Sequence, residues 1–301
     1  MRERLDCPVC EQSTQTLFSR PYSSPEFQPF RFADGLAAAL AGKNYEIRHC
    51  SDCDLCFQLW VMEERELAMW YSPAIGQEFF QKEIARQKLH WFAHLIEEIL
   101  VFRQLCPAAM PVVLDFGCNW GKWASAALAL GCEVYGVDVN RVAAEFCASR
   151  GIKMLSLLEA ARLRFDFINV DQVAEHLSDP CAVIRQLADA LNPGGFLKLS
   201  TPGDPRLRHD LARAQADGNN AILNPQRLDP LMPLEHVNLF SARALKLLGQ
   251  KAGVRHYRLP LLKCLGAAQL WNIPRQLNRN LIVPFKNWRG SGTYRWFQKP
   301  L

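Results

Sequence analysis

Nowhere in the 301 residues do about 18 apolar residues run together, the length that a membrane-spanning helix needs. The opening MRERLDCPVC contains no apolar stretch of the kind an export signal carries, so a cytoplasmic protein is expected. Internal repeats and low-complexity tracts are also missing, and at this length one large or two modest domains are expected. From Lys251 to Leu301 there is no Asp or Glu, although ten Lys or Arg occur there. The remaining 25 basic residues face all 30 acidic ones, so a mildly acidic body ends in a basic tail and the net charge is +5.

Cysteine, by contrast, is plentiful. Eleven thiols in a chain without an export signal read as free thiols or metal ligands rather than disulfides. Cys7 and Cys10 form one C-x-x-C pair, and Cys50 and Cys53 form a second. Four thiolates from two such knuckles suit a closed, tetrahedral, structural zinc site. A small module at residues 1–60 is expected around it, with Ser19–Gly42 as a loop or small excursion. Cys56 and His49 lie beside the second pair, but Cys7, Cys10, Cys50 and Cys53 are the preferred ligands. Cys106, Cys132, Cys147, Cys181 and Cys264 have no paired spacing and read as small apolar residues.

The most informative stretch is VVLDFGCNWGKWASAALALGCEVYGVDVN, Val112–Asn140. It reads as a buried strand, a glycine turn, a helix closed by Gly131, and a second strand ending at Asp138. Asp138 follows Asp115 by 23 residues, about the separation at which a nucleotide-binding βαβ unit places an acid on the ribose hydroxyls. Such a unit holds NAD, FAD or S-adenosylmethionine. A dinucleotide site wants G-x-G-x-x-G under its pyrophosphate. Here the turn runs Gly117, Cys118, Asn119, Trp120, Gly121, with Asn119 in the place of the second glycine. Asp115, two residues ahead of the turn, repels a pyrophosphate but can receive a cationic amino-acid group.

The Asp-x-Gly-x-x-x-Gly run resembles the first motif of the class I S-adenosylmethionine-dependent methyltransferases. The likeness continues in FDFINV (Phe165–Val170) followed by DQVAEHLSDP, in LNPGGFLKLSTPG, and in PLEHVNLFSARALKLLGQKAGV, and it covers about residues 110–259. It implies a Rossmann-like α/β core of seven strands within residues 110–301, with residues 61–109 as a helical linker or lid. Gln81–Leu105 has the apolar spacing of an amphipathic helix. Residues 254–259 and 292–299 are the expected sixth and seventh strands, and 260–292 is a basic, aromatic insertion or lid. The backbone of Gly117, Cys118, Asn119 and Gly121, the Asp138–Val139 corner, and Asn169, Val170 and Asp171 at the end of the fourth strand are the expected cofactor contacts. Glu159 falls near the family's adenine contacts.

A Cys-x-x-Cys zinc module ahead of this core resembles bacterial methyltransferases of sugar and natural-product pathways. The sugar C-methyltransferases are one branch of these, with a longer C-terminal half. That resemblance implies that Glu235 and His236 lie at the substrate and take part in deprotonation, and that an aromatic segment bearing Tyr71 reaches over it. His176 and Glu175, after the fourth strand, are further base candidates. Imidazole suits proton transfer near neutral pH. The expected reaction is methyl transfer to O or C of a small molecule or glycan, for instance a nucleotide-linked sugar. The basic tail reads first as a lid or dimer face with a solvated basic rim, and otherwise as a surface for anionic lipid, as at a peripheral membrane site, or for substrate phosphate. Two rivals are an RNA methyltransferase and a catalytically degenerate scaffold. Nucleic acid is the weaker partner, because NVDQVAEH stands where base-methylating enzymes carry Asn-Pro-Pro-Tyr.

Overall fold

The computed structural model describes residues 1–27, 34–63, 66–67, 89–204, 206–218, 225–267, 285, 288–289 and 294–300. In chain order, β1 (Arg2–Glu3), β2 (Gln15–Pro21), α1 (Asp34–Leu40), β3 (Asn44–Cys50), β4 (Leu55–Gln58) and β5 (Trp60–Val61) come first. Next are α2 (Leu89–Leu105), β6 (Val112–Phe116), α3 (Lys122–Ala129), β7 (Glu133–Val137), α4 (Arg141–Ser149), β8 (Lys153–Met154) and α5 (Leu157–Ala160). They are followed by β9 (Phe165–Asp171), α6 (Pro180–Asp189), β10 (Leu191–Ser200) and α7 (Leu207–Ala216). The last are β11 (Asn238–Leu239), α8 (Ala242–Lys251), β12 (Arg255–Tyr257), α9 (Leu261–Ala267) and β13 (Tyr294–Gln298).

The chain divides into two compact units. One comprises residues 73–171, 184–200 and 249–301. Its sheet runs β12-β13-β10-β9-β6-β7-β8. The five strands from β10 to β8 are parallel, and β13 runs antiparallel to both β10 and β12. Parallel strands need crossovers, and α3 and α4 supply two of them. The strands read as near-continuous apolar runs because they are buried on both faces: Val113, Leu114, Phe167, Ile168, Leu197 and Leu199 are all fully buried. Phe167 lies at the centre, with Trp123 stacked on it at 5.5 Å and Phe102 and Trp296 at 4.7 and 5.1 Å.

Several sequence boundaries contract. Of the helix expected at 81–105, α2 occupies Leu89–Leu105 and residues 81–88 lie outside the described residues. The sixth and seventh strands are Arg255–Tyr257 and Tyr294–Gln298. Glu159 spends its carboxylate on its own helix: Oε2 accepts the Ser156 N–H at 2.7 Å, while the Ser156 hydroxyl oxygen accepts the Glu159 N–H at 3.2 Å. This is the capping box that S-L-L-E spells.

The other unit comprises residues 1–72, 172–183 and 201–248. Its antiparallel sheet runs β11-β4-β3-β2. The N-terminal stretch read as a module of its own therefore shares a compact unit with two later segments, because β11 pairs with β4. The loop expected at Ser19–Gly42 instead contributes the end of β2 and helix α1. Its aromatic residues need burial, and Tyr22 and Phe27 pack with Tyr45, which also meets Phe18, in one aromatic group. Among the described residues, no helix is long and apolar enough to cross a membrane.

Gly249, inside α8, has no room for a side chain. A Cβ there would lie 2.1 Å from the Phe297 ring. Gly249→Ala should destabilise the protein by about 1–3 kcal/mol, despite alanine's better helix propensity. Denaturant unfolding with the slope held constant measures this, and an unchanged midpoint would contradict it.

Candidate active site

The turn after β6 is built from left-handed backbone. Gly117, Asn119 and Gly121 have φ of 74°, 47° and 67°. Asparagine is among the few side chains that tolerate this region, which explains how Asn119 replaces the customary glycine. Gly121 is constrained twice, because a Cβ there would lie 2.8 Å from both Cys147 Sγ and Ile152 Cδ1. Asp138 holds the turn from the end of β7. One carboxylate oxygen accepts the Asn119 N–H at 2.6 Å and the other accepts the Asn140 N–H at 2.7 Å. Next to it, Val139 is 77% exposed, an unusual degree for a valine at a strand end.

Asp115 is almost wholly buried and accepts hydrogen bonds from Asn169 Nδ2 at 2.8 Å and the Ala124 N–H at 3.1 Å. Burial is the chief cause that pushes its carboxyl up to about 7. Asp171 behaves oppositely. Burial, the largest single influence, works against its charge, but the Lys198 ammonium at 3.4 Å, the Ser200 hydroxyl and His94 together outweigh it and leave the carboxyl below its ordinary value. Lys198 is itself buried and also donates to Glu98 at 3.0 Å, whose same oxygen accepts Trp123 Nε1–H at 2.8 Å. Sequence reasoning missed Lys198 and Glu98. The available signal was a lone lysine inside the apolar run FLKLS.

In the other unit, the structure brings Glu175, His176 and His236 together, with one ligand atom of each within 4.8 Å of the others. The imidazoles meet edge to face at a 4.8 Å centroid distance. His236 Nδ1 lies 2.6 Å from the Asp229 carbonyl oxygen, which can only accept, so in the neutral imidazole Nδ1 carries the proton and Nε2 the lone pair. Burial and the neighbouring His236 lower His176 to about 4, so it is neutral near pH 7. Burial raises the Glu235 carboxyl. Tyr71 lies outside the described residues.

The four preferred cysteines converge in that same unit. Cys7 and Cys53 sulfurs lie 3.5 Å apart, Cys10 and Cys50 sulfurs 3.3 Å, and all four fall within 4.8 Å of one another. A tetrahedron with metal–sulfur bonds of about 2.3 Å has edges of about 3.8 Å, so the set fits a small tetrahedral ion. His49 and Cys56 are not in this group. His49 Nε2 pairs with Asp54 at 3.0 Å, and Cys56 is buried in β4 among apolar side chains.

Residues 81–257, more than half of the chain, match the family model of a methyltransferase domain, and the chain belongs to that family. It is 31% identical over 134 residues to a ubiquinone biosynthesis O-methyltransferase of Albidiferax ferrireducens, covering 38% of this chain and 46% of that protein. Identity to the protein of the same name from Xanthomonas campestris pv. campestris is 29% over 139 residues, covering 42% of this chain and 57% of that one. The chain thus matches about half the length of these curated relatives. Among solved structures, the plantazolicin methyltransferase BpumL, in complex with a pentazolic analog and SAH, superposes with a TM-score of 0.51 at 12% identity. That match covers 78% of this chain and 94% of BpumL, and it is a likeness of fold. Family and sheet order together define a class I S-adenosylmethionine-dependent methyltransferase core.

The buried Asp115 predicts a pH dependence. In the fold it keeps its proton up to about 7, whereas the ordinary value is 3.8. Between those values the folded state binds more protons, so this group's contribution to stability falls as pH rises through the window. Unliganded wild type should lose stability relative to Asp115→Asn between pH 5 and about 7.5, as read by calorimetric unfolding. A constant gap would show that Asp115 does not titrate there.

Proposed function

We propose that the protein transfers a methyl group from S-adenosylmethionine to an oxygen of a small molecule or glycan, with His236 as base, Glu235 beside it and His176 as a neutral neighbour. The observation that carries this reading is the fixed tautomer of His236. Its Nδ1–H is spent on the Asp229 carbonyl, which leaves Nε2 free to take a proton. The donors of the glycine turn, Asp138 for ribose hydroxyls and the exposed Val139 for the adenine face suit the cofactor. Half-buried Asp171 supplies a standing negative charge that the cofactor's ammonium and sulfonium favour, and buried Asp115, which keeps its proton up to about 7 in the unliganded fold, can ionise beside a bound cation.

When bound, the cofactor supplies an electrophilic methyl for in-line displacement. The protein's share is to orient the acceptor and remove its proton. Oxygen as the accepting atom is supported by the names of the curated relatives, and sugar specificity by the Cys-x-x-Cys arrangement alone. Zinc is the proposed ion of the four cysteines, because its tetrahedral thiolate chemistry matches their spacing. The basic tail is proposed to meet substrate phosphate or an anionic surface.

The first test is calorimetric binding of S-adenosylhomocysteine. Wild type should bind and Asp138→Ala should lose affinity at least tenfold, whereas no binding by folded wild type would favour the scaffold reading. With an acceptor found by screening nucleotide sugars and hydroxylated aromatics, His236→Ala should lower turnover by about 10²–10⁴-fold. Full turnover in both His236→Ala and Glu235→Gln would remove the assigned base. Activity on RNA that falls steeply with salt would instead indicate the nucleic-acid rival.

A further inference from the structure

Both histidines sit in short segments that make few regular backbone ladders, so something else must set their spacing. Three buried polar side chains do this. Gln58, 1% exposed at the end of β4, donates from Nε2 to the carbonyls of Met232 at 2.8 Å and His236 at 2.9 Å, and its Oε1 accepts the Leu234 N–H at 2.9 Å. It therefore holds the turn before His236 from both sides, including Leu234, whose φ of 65° is unfavourable for a leucine.

Asn238 reaches the other segment. Its Nδ2 donates to the carbonyls of Ala174 at 3.1 Å and Leu177 at 2.8 Å, which flank His176. Arg4 ties the two together. Its guanidinium donates to the Val237 carbonyl at 2.8 Å, Asn238 Oδ1 at 2.9 Å, the Ser178 carbonyl at 3.3 Å and the Gln58 carbonyl at 3.0 Å. Among the described residues it forms no ion pair, so its donors are used on the backbone and amide groups around the two histidines. A fully satisfied buried network specifies one arrangement, and a partly satisfied one does not.

We infer that Gln58 and Arg4 are positioning residues for the His176–His236 pair, holding His236 where its Nδ1–H meets the Asp229 carbonyl. This rests on the reading of His236 as base, but its test does not need turnover. Arginine suits this position because five donors in a rigid fork can meet several acceptors at once, which a lysine cannot do.

The experiment is imidazole nitrogen NMR on the full-length protein, comparing wild type with Gln58→Met, Gln58→Glu and Arg4→Lys, alongside calorimetric S-adenosylhomocysteine binding. Wild type should show His236 as a single Nδ1–H tautomer. Gln58→Met and Arg4→Lys should lose that signal to a mixture of tautomers, with cofactor-product affinity within about twofold of wild type. Gln58→Glu keeps the acceptor for Leu234 and serves if the methionine variant fails to fold. It should show a smaller departure. A wild-type tautomer in every folded variant would overturn the inference, as would a fall in product affinity that tracks the tautomer change. Loss of the tautomer in the Gln58 and Arg4 variants together with full turnover in His236→Ala would instead sink the base assignment and leave the positioning network standing.

Discussion

One carboxylate conditions the glycine turn on which the methyltransferase core of this protein depends. The turn between β6 and α3 is left-handed at three residues, and such a turn persists only where its surroundings over-determine it. Asp138 does this by accepting the amides of Asn119 and Asn140 at once, and so joins the turn to the start of the next helix. The end of β7, the glycine turn and the N-terminus of α4 then behave as a single piece. Gly121 adds a steric limit, because Cys147 and Ile152 fill the space that a Cβ would need.

The charges behind that turn follow a different rule. Lys198 and Glu98 are both almost fully buried, and neither could be held there alone without a large desolvation cost. They are kept by each other, by the Trp123 indole N–H and by Asp171. The same ammonium that stabilises Glu98 keeps Asp171 ionised, while Asp115 has burial working against it. Two aspartates on adjacent strands thus arrive at opposite protonation tendencies, which is how a site can offer one fixed negative charge and one that responds to a bound cation.

Much of the cofactor-binding unit was legible in the sequence because its signals are local. Glycine spacing, apolar runs and Asp138 at a strand end are each read within about 30 residues. The four cysteines were legible for the same reason, since C-x-x-C spacing places two sulfurs on one knuckle. What was not legible depends on pairing across the chain. β11 against β4 joins residues about 180 positions apart, and no local pattern announces it. Gln58, Arg4 and Asn238 escaped because each looks like an ordinary polar residue until the distant carbonyls that it satisfies are known. Lys198 did leave a trace, as a lone lysine inside the apolar run FLKLS.

Chain connectivity links the two sets of residues without any appeal to their relative placement. The segments that join the N-terminal stretch begin at residues 172 and 201, directly after the last residues of β9 and β10. In open α/β sheets, ligands bind outside the carboxyl ends of the strands, so insertions there are the natural carriers of substrate chemistry. His176 comes five residues after Asp171 in the first insertion, and His236 lies in the second. Neither insertion could set its histidine alone: the first is too short to form a core, and the second reaches His236 through a strained leucine. Both borrow order from the N-terminal stretch through Gln58 and Arg4. The cysteine cluster and the buried amide network lie in the unit that carries both histidines, and Asp138 fixes the glycine turn in the other unit, so each set of residues has its own source of rigidity.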